Sequence, residues 1–276
     1  MSGKGVKIKG VTPVVVPRQE CEVRENGIRA HGGLRESTDL NMVSITEGTS
    51  YLQYFGENLI SDYQVYLEGA KAQEEGYDAV QPDCIFDPAI KPLKEALDIP
   101  VVGPLETSVH LASLLGRKFS VIVNDESMPK FIVERVRDYG MDHKLASVRV
   151  SGVTYEDLGF FSKKDENAVR DKIRAASIKA IEEDGADCII LACTSMFGHR
   201  HMLQEEFGVP ILEPGAIAAK FGELLVDLNL AQSKRAYPRP QHRIIPEQSD
   251  SDAPAESPEP AEASGGCTFV RPDAAA

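Results

Sequence analysis

The chain has 276 residues, of which 42% are apolar and 26% charged, enough to build the cores of about two domains at roughly 150 residues each. Its net charge is −13, and because no basic patch interleaves with aromatic residues, a nucleic-acid partner is not expected. No run of residues approaches the ~18–20 apolar positions of a membrane span, and the N-terminus lacks the apolar stretch of a secretion signal. We therefore expect a cytoplasmic protein that does not bind membranes.

Short β-branched runs alternate with longer segments of helical periodicity along most of the chain. The predicted strands are residues 11–16, 79–80, 101–102, 120–123, 147–150, 188–192 and 211–212. The predicted helices are residues 55–75, 88–97, 107–116, 128–139, 165–184, 198–207 and 215–229. The polar segment from Arg18 to Asp39 is predicted to be a long loop, either a plain surface insertion or a lid. This alternation predicts an α/β fold with mostly parallel sheets.

From about Gln241 the composition changes to Ser, Pro, Glu, Ala and Asp. A segment of this kind has too little apolar surface to offset the entropy of ordering, so residues 242–276 are predicted to be a disordered acidic tail. From Pro246 onward the tail carries seven acids and one Arg, a charge of −6 that leaves −7 of the net −13 for the rest of the chain.

An internal repeat is the most informative feature of the sequence. Residues 75–84 read EGYDAVQPDC and residues 184–193 read DGADCIILAC, so a glycine, an acid and a cysteine recur at the same spacing. The match continues in IPVVGP (99–104) and VPILEP (209–214). The repeat predicts two pseudo-symmetric lobes, each a mostly parallel sheet flanked by helices, with the active site in the cleft between them. One lobe is predicted to comprise residues 1–104 plus 211–241, and the other residues 105–210.

The five cysteines indicate free thiols, because their number is odd, no two form a Cys-x-x-Cys pair and they are too sparse for a secreted disulfide scaffold. They are Cys21, Cys84, Cys188, Cys193 and Cys267. Cys188 and Cys21 are interpreted as small buried hydrophobes, which is the usual role of a free cysteine. Cys84 and Cys193 differ, since they occupy equivalent positions of the repeat.

Cys84 and Cys193 are both predicted at the carboxyl ends of strands, where open α/β sheets bind their ligands. Asp87-Pro88 and Thr194-Ser195 follow them and are helix-start signals. A helix N-terminus lowers the pKa of a nearby thiol and attracts anions. Two opposed thiols suit racemisation, because one thiolate can remove a proton from carbon while the other thiol delivers a proton to the opposite face.

At these residues the sequence resembles the Asp/Glu/hydantoin racemase family, and its hydantoin racemase branch in particular. The resemblance covers roughly residues 7–240 and is carried by GYDAV (76–80), CIFDP (84–88), IPVVG (99–103), DGAD (184–187), LACTSM (191–196) and SKRAYP (233–238). It implies a two-lobed fold, no cofactor, and Cys84 and Cys193 as the two catalytic acid–base residues. It also implies that the residues after each cysteine line the substrate pocket, which points to Ile85, Phe86, Thr194 and Ser195.

The chain departs from its relatives at two places. Many relatives have Asn-Pro-Asn after the first strand where this chain reads VTPV (11–14), which leaves Thr12 as the candidate substrate contact there. Ser195 stands where relatives often have Gly. Thr49, Ser50 and Asn124 are further candidates for substrate hydrogen bonds, although ordinary turn or capping roles would equally explain them.

These observations predict a cofactor-independent racemase that acts on a small carbon acid, such as a hydantoin or a related amino-acid derivative. The resemblance leaves open cis–trans isomerisation of an unsaturated diacid such as maleate; the presence of both cysteines argues against the decarboxylase relatives, which use one. The sequence is also compatible with a non-catalytic protein that binds a small anion, or with a scaffold that acts through its acidic tail. The expected partners are a small-molecule substrate and, by analogy with relatives, other copies of the chain.

No cofactor or metal site is expected from the motifs. His199 and His201 flank Arg200, but alternate residues of a helix point about 200° apart and no further ligand completes a set. Neither a GxGxxG nor a GxxxxGK[ST] phosphate loop occurs in the sequence.

Overall fold

The structure, a computed structural model, describes residues 5–158 and 165–241. Its strands are β1 (Lys7–Thr12), β2 (Asp39–Ser44), β3 (Ala79–Pro82), β4 (Phe119–Val123), β5 (Leu145–Val150), β6 (Cys188–Leu191) and β7 (Ile211–Leu212). Its helices are α1 (Arg18–Gly32), α2 (Phe55–Gly69), α3 (Ile90–Ala96), α4 (Pro104–Leu115), α5 (Pro129–Asp138), α6 (Glu166–Glu182), α7 (Arg200–Phe207) and α8 (Pro214–Asp227). No helix in the described ranges is long and apolar enough to cross a bilayer.

The strands form two parallel sheets. The first has the order β2-β1-β3, and the second has the order β5-β4-β6-β7. Every residue of β4 and β6 is buried, as expected for parallel strands covered by helices on both faces. The prediction of an α/β fold with two mostly parallel sheets is confirmed.

One apolar cluster connects the cysteine-bearing end of β3 to the second sheet. Ile85 and Phe86, just after β3, pack in the same buried cluster as Val121 and Val123 of β4 and Ala192 at the end of β6. Burial of each such side chain contributes about 1.5–3 kcal/mol. The backbone after Cys84 is therefore anchored against the sheet that carries Cys193.

The two copies of the repeat have the same structural roles. Gly76 and Gly185 both have positive φ, 81° and 72°, a conformation that glycine adopts without strain. The repeat acids tie the starts of strands together: Asp78 accepts from the amide of Lys7, and Asp187 accepts from the amide of Lys118.

The two prolines of the repeat also correspond. The carbonyl of Pro100 accepts from the amide of Val80 at 2.9 Å, and that of Pro210 accepts from the amide of Ile189 at 2.9 Å. Val80 and Ile189 each precede their repeat cysteine by four residues. The two halves therefore match in backbone pairing as well as in sequence.

The prediction of a long loop between Arg18 and Asp39 is wrong. This segment forms α1 and leads into β2, which was not predicted, and the first strand lies at residues 7–12, not at 11–16. The buried face of α1 consists of Cys21, Arg24, Gly27 and Ile28. Its spacing is helical, but an arginine and a glycine take places that an apolar residue usually fills, so the pattern did not indicate an amphipathic helix.

The division into lobes stays a prediction, with one difference in the strands. The helix α8 packs against α1 and β3, while α4 packs against β6, which fits the assignment of α8 to the first lobe and α4 to the second. However, β7 pairs with β6 in the second sheet, so strand pairing favours a boundary after Leu212, not before Ile211. The tail predicted at residues 242–276 lies outside the described residues.

Candidate active site

The two cysteines of the repeat lie at equivalent points of the two sheets. Cys84 follows the last residue of β3 by two positions, and Cys193 follows the last residue of β6 by two positions. Both thiols are half-buried, and both line a single cavity of about 60 Å³. The structure therefore brings the two predicted acid–base residues together.

The predicted substrate-binding residues fall into two groups. Ile85, Phe86, Asn124 and Thr194 line the cavity with the two cysteines. The other three contribute no wall to it: Thr12 is fully buried and its hydroxyl donates to the carbonyl of Val14, the hydroxyl of Thr49 donates to the carbonyl of Tyr51, and Ser195 bonds to Cys193. Ser50, next to Thr49, lines the cavity instead.

Sequence reasoning missed a set of lining residues that lie far apart in the chain. They are Pro13, Val14, Arg24, Leu52, Asp83, Met128, Tyr155 and Ala192. Asp83 and Ala192 directly precede the two cysteines, so the repeat itself was a signal for them. Arg24 carried no signal, because its segment was interpreted as a loop.

Each thiol accepts a hydrogen bond from the amide two residues further on. The amide of Phe86 donates to Cys84, and the amide of Ser195 donates to Cys193, which also receives a bond from the Ser195 side chain. A hydrogen bond to sulfur favours the thiolate. The resulting site has two similar thiols, each stabilised on ionisation by its own loop.

Burial works against ionisation of both thiols. Removal from water is the largest effect on each and raises the pKa of Cys84 and the pKa of Cys193 above 9.0. Each thiol also faces Tyr155, whose phenol pKa is raised chiefly by burial and further by the two cysteines. The phenol of Tyr155 therefore stays protonated in the cavity.

A buried ion pair lies beside the thiols. Nη1 of Arg24 donates to Oδ2 of Asp83 at 2.9 Å and to the hydroxyl of Thr194 at 3.0 Å. The Thr194 hydroxyl in turn donates to Asp83. The other carboxylate oxygen, Oδ1, accepts from Nε2 of Gln81 at 2.9 Å. This network connects the residue before Cys84 to the residue after Cys193.

The sequence suggested that Asp87 caps a helix next to Cys84, and this prediction is wrong. The helix α3 begins only at Ile90, and Asp87 instead accepts from the amides of Leu105 and Glu106 at the start of α4 and from the hydroxyl of Tyr139. It adopts a positive φ of 48°. Complete burial raises the pKa of Asp87 to about 7, against the lowering effect of these three hydrogen bonds.

The capping role predicted for Thr194 and Ser195 is also wrong. The next helix, α7, begins at Arg200. Its first amides, those of His199 and Arg200, donate to Oε1 of Glu213 at 3.0 Å. Because Thr194 lies in the turn before α7 and does not cap that helix, its hydroxyl can bond to Arg24 and Asp83.

A second cavity of about 290 Å³ adjoins the site. Phe86 lines both cavities, whereas Phe131 lines only the second. In the part of the chain that the structure describes, no three His, Cys, Asp or Glu side chains cluster as metal ligands.

The sequence matches the family model described as Asp/Glu/Hydantoin racemase over residues 26–222. The hydantoin racemase of Pseudomonas sp. (strain NS671) is 31% identical over 215 residues, which are 78% of this chain and 85% of that protein. The hydantoin racemase of Paenarthrobacter aurescens is 29% identical over 209 residues, 75% of this chain and 86% of that protein.

A solved structure with a similar fold is allantoin racemase from Pseudomonas fluorescens, with a TM-score of 0.79. It is 26% identical, and the match covers 88% of this chain and 100% of that one.

Proposed function

Because the chain belongs to the Asp/Glu/hydantoin racemase family, we propose that it racemises 5-substituted hydantoins or related cyclic ureides, with Cys84 and Cys193 as its acid–base pair. It is an isomerase of the racemase type. The observation that carries the proposal is that the two repeat cysteines line one small cavity. The names of its relatives, hydantoin racemase and allantoin racemase, support the choice of ring.

The proposed reaction removes a proton from one face of a ring carbon and delivers another proton to the opposite face. The thiolate of one cysteine removes the proton at C5 of the ring, the electron pair moves into the adjacent carbonyl, and the other thiol delivers its proton to the opposite face of C5. The reaction leaves the first cysteine as a thiol and the second as a thiolate. The mechanism needs no cofactor, because the ring carbonyl acidifies the C5 proton and hydrogen-bond donors can stabilise the enolate-like intermediate.

The charges of the cavity favour a neutral substrate. Apart from the reacting thiolate, the ionised side chains among its described lining residues are Arg24 and Asp83, and these two pair with each other. The remaining walls are largely apolar, including Val14, Leu52 and Met128. A free amino acid or a dicarboxylate would lose its hydration there without an unpaired countercharge, which costs several kcal/mol per charge. A cyclic ureide brings no formal charge.

Asn124 matches the hydrogen-bonding groups of such a ring. It lies at the end of β4, lines the cavity and is 2% exposed. Its Oδ1 has no hydrogen-bond partner within the described residues. A buried amide in that state costs about 1–3 kcal/mol. A ureide offers N–H donors and carbonyl acceptors, so it can satisfy the amide of Asn124 in either orientation.

The test is deuterium uptake from heavy water at the stereocentre of both enantiomers of a panel of compounds. The panel contains 5-substituted hydantoins, allantoin, aspartate and glutamate, with maleate assayed separately for isomerisation. We expect exchange and loss of optical rotation for hydantoins or allantoin. In Cys84→Ser and in Cys193→Ser, racemisation should fall by about 10²–10⁴-fold, and each variant should still exchange the proton of one enantiomer, a different one in each case.

Cys21→Ala is the matched control, because Cys21 is a buried free thiol of α1 that lies outside the cavity. It should retain wild-type turnover. If the protein isomerises maleate and does not racemise the ring compounds, its function is cis–trans isomerisation and not racemisation. Binding of a ring compound without exchange, retained in both cysteine variants, would indicate a binding protein.

A further inference from the structure

The two cysteine loops differ in the residues that flank the thiols. Asp83 precedes Cys84, whereas Ala192 precedes Cys193. Thr194 follows Cys193, whereas the corresponding position after Cys84 is an apolar Ile. The polar residues at these positions are the two that Arg24 binds. The ion pair therefore joins the two cysteine loops but takes a different kind of residue from each.

The acidic partner of the ion pair, Asp83, belongs to the loop of Cys84 and directly precedes that cysteine. The basic partner, Arg24, comes from α1 and reaches the loop of Cys193 through the 3.0 Å bond from its Nη1 to the hydroxyl of Thr194, which itself donates to Asp83. The side chains of Arg24 and Asp83 are only 7% and 0% exposed, so water screens the pair little. The two thiols thus lie next to different charged and polar groups, and Cys193 also accepts the side-chain bond from Ser195.

We propose that the Arg24–Asp83 ion pair breaks the symmetry of the site, so that the first thiolate forms on Cys193 while Cys84 remains a thiol. The inference rests on the proposed function, and it makes Arg24 a positioning residue that acts through the thiols and through Asp83 and Thr194. Cys193 is then the base towards the enantiomer that binds to the enzyme in this protonation state, and Cys84 is the acid.

The effects on the two thiols agree with this direction. After burial, Arg24 is the largest influence on the pKa of Cys193 and lowers it, while Asp83 raises it less. For Cys84 the order is reversed: Asp83 raises the pKa more than Arg24 lowers it. The ionisable groups around the two sulfurs are Arg24 from α1, Asp83 after β3, Tyr155 after β5 and the opposite cysteine.

The test measures how the alkylation of each cysteine depends on pH. The protein is treated with iodoacetamide from about pH 7 to about pH 11.5, and the modification of Cys84 and Cys193 is read from their separate peptides by mass spectrometry, since only the thiolate reacts. The midpoint of each profile, unlike the rate, does not depend on how easily the reagent reaches the sulfur. In the wild-type protein we expect the midpoint of Cys193 to lie below that of Cys84.

The informative variant is Arg24→Met/Asp83→Asn, which removes both charges and leaves no buried charge unpaired. The midpoint of Cys193 should rise and that of Cys84 should fall, together by about one pH unit or more, a change of about tenfold in relative thiolate population. Arg24→Lys keeps the positive charge and should preserve the wild-type order. Arg18→Met, on the exposed face of the same helix, is the matched control and should leave both midpoints unchanged.

Two results would overturn the inference: a lower midpoint for Cys84 in the wild-type protein, or an undiminished separation of the two midpoints in a double variant whose circular dichroism shows that it is folded. The outcome is independent of the proposed function, because alkylation needs no substrate. If no compound exchanges deuterium but the midpoints shift as described, the proposed function fails and the asymmetry of the thiols stands.

Discussion

Replacing Arg24 by methionine should destabilise the protein strongly, although the substitution keeps an unbranched apolar chain. The Asp83 carboxylate is fully buried and would lose the cation to which it bonds at 2.9 Å. Breaking one partner out of a buried pair costs about 3–5 kcal/mol, because the remaining charge is left without compensation. That is a large part of the roughly 5–15 kcal/mol by which a folded protein is stable.

The double variant Arg24→Met/Asp83→Asn should recover most of this loss. The introduced asparagine can accept from Gln81 with its oxygen and donate to the Thr194 hydroxyl with its amide nitrogen, which replaces both partners of the network. Removing both charges of a buried pair is often neutral or stabilising. We therefore expect the double variant to lie within about 1–2 kcal/mol of wild type.

Urea unfolding followed by circular dichroism measures these differences as a double-mutant cycle. Arg18→Met is the control, since the Arg18 side chain is 54% exposed and pairs with the exposed Glu22 and the half-buried Glu25. Exposed pairs contribute about 0–1 kcal/mol. A loss in Arg24→Met no larger than in Arg18→Met, or a double variant no more stable than Arg24→Met, would contradict the electrostatic account of the site.

Three further predictions concern pH and substrate size. Burial raises the pKa of both thiols above 9.0, so kcat/KM should increase about tenfold per unit between about pH 6 and about pH 8; a flat profile of initial rates would show that a thiolate is already present at neutral pH. The pKa of Asp87 rises from 3.8 to about 7 in the folded protein, so its contribution to stability is complete below 3.8 and is lost as the pH rises through about 7, at up to about 1.4 kcal/mol per unit. Asp87→Asn should remove this pH-dependent part of the free energy of unfolding. Urea unfolding of the variant and of the wild-type protein at about pH 5 and about pH 8 checks it. A difference in stability between variant and wild type that is equal at the two pH values would contradict the prediction. Because Phe86 lines both the catalytic cavity and the second one, Phe86→Ala should enlarge the space next to the thiols and raise kcat/KM for bulky 5-substituents relative to a methyl group by about 10-fold or more. Phe131→Ala, at a residue that lines only the second cavity, should leave this ratio unchanged.

Much of the fold and the centre of the site could be predicted from the sequence because both depend on local patterns. The repeat fixes glycines of positive φ, strand-tethering acids and strand-end cysteines at the same spacing in both halves, and each of these has its counterpart in the structure. A strand, a turn and the residue that follows are a few positions apart, so periodicity and spacing are enough to place them. Ile85 and Phe86 were implied by the resemblance to the family, because they directly follow Cys84.

The helix α1 and its arginine could not be predicted, because their reason lies elsewhere in the chain. Arg24 is buried at a position where helical patterning expects an apolar side chain, and it is tolerated because Asp83, which lies 59 residues away, neutralises it. Gly27 is a second example: a side chain there would collide with the ring of Phe197. Without knowledge of these partners, a helix with arginine and glycine on its inner face is indistinguishable from a polar loop.

Arg24 and Asp83, which escaped prediction, also contribute to the difference between the two halves. In a perfectly symmetric pair, neither thiol would ionise before the other. The enzyme molecules with one thiolate and one thiol would then be divided equally between a form with the thiolate on Cys84 and a form with the thiolate on Cys193, which bind opposite enantiomers. Asp83 and Thr194 depart from the repeat on opposite sides of the two cysteines, and Arg24 binds both. A repeat can therefore supply two equivalent acid–base groups, but the order in which they ionise has to come from outside it, here from the first helix. Because racemisation exchanges the protonation states at every turnover, the ion pair would favour one of the two enzyme forms while leaving the equilibrium between the enantiomers unchanged.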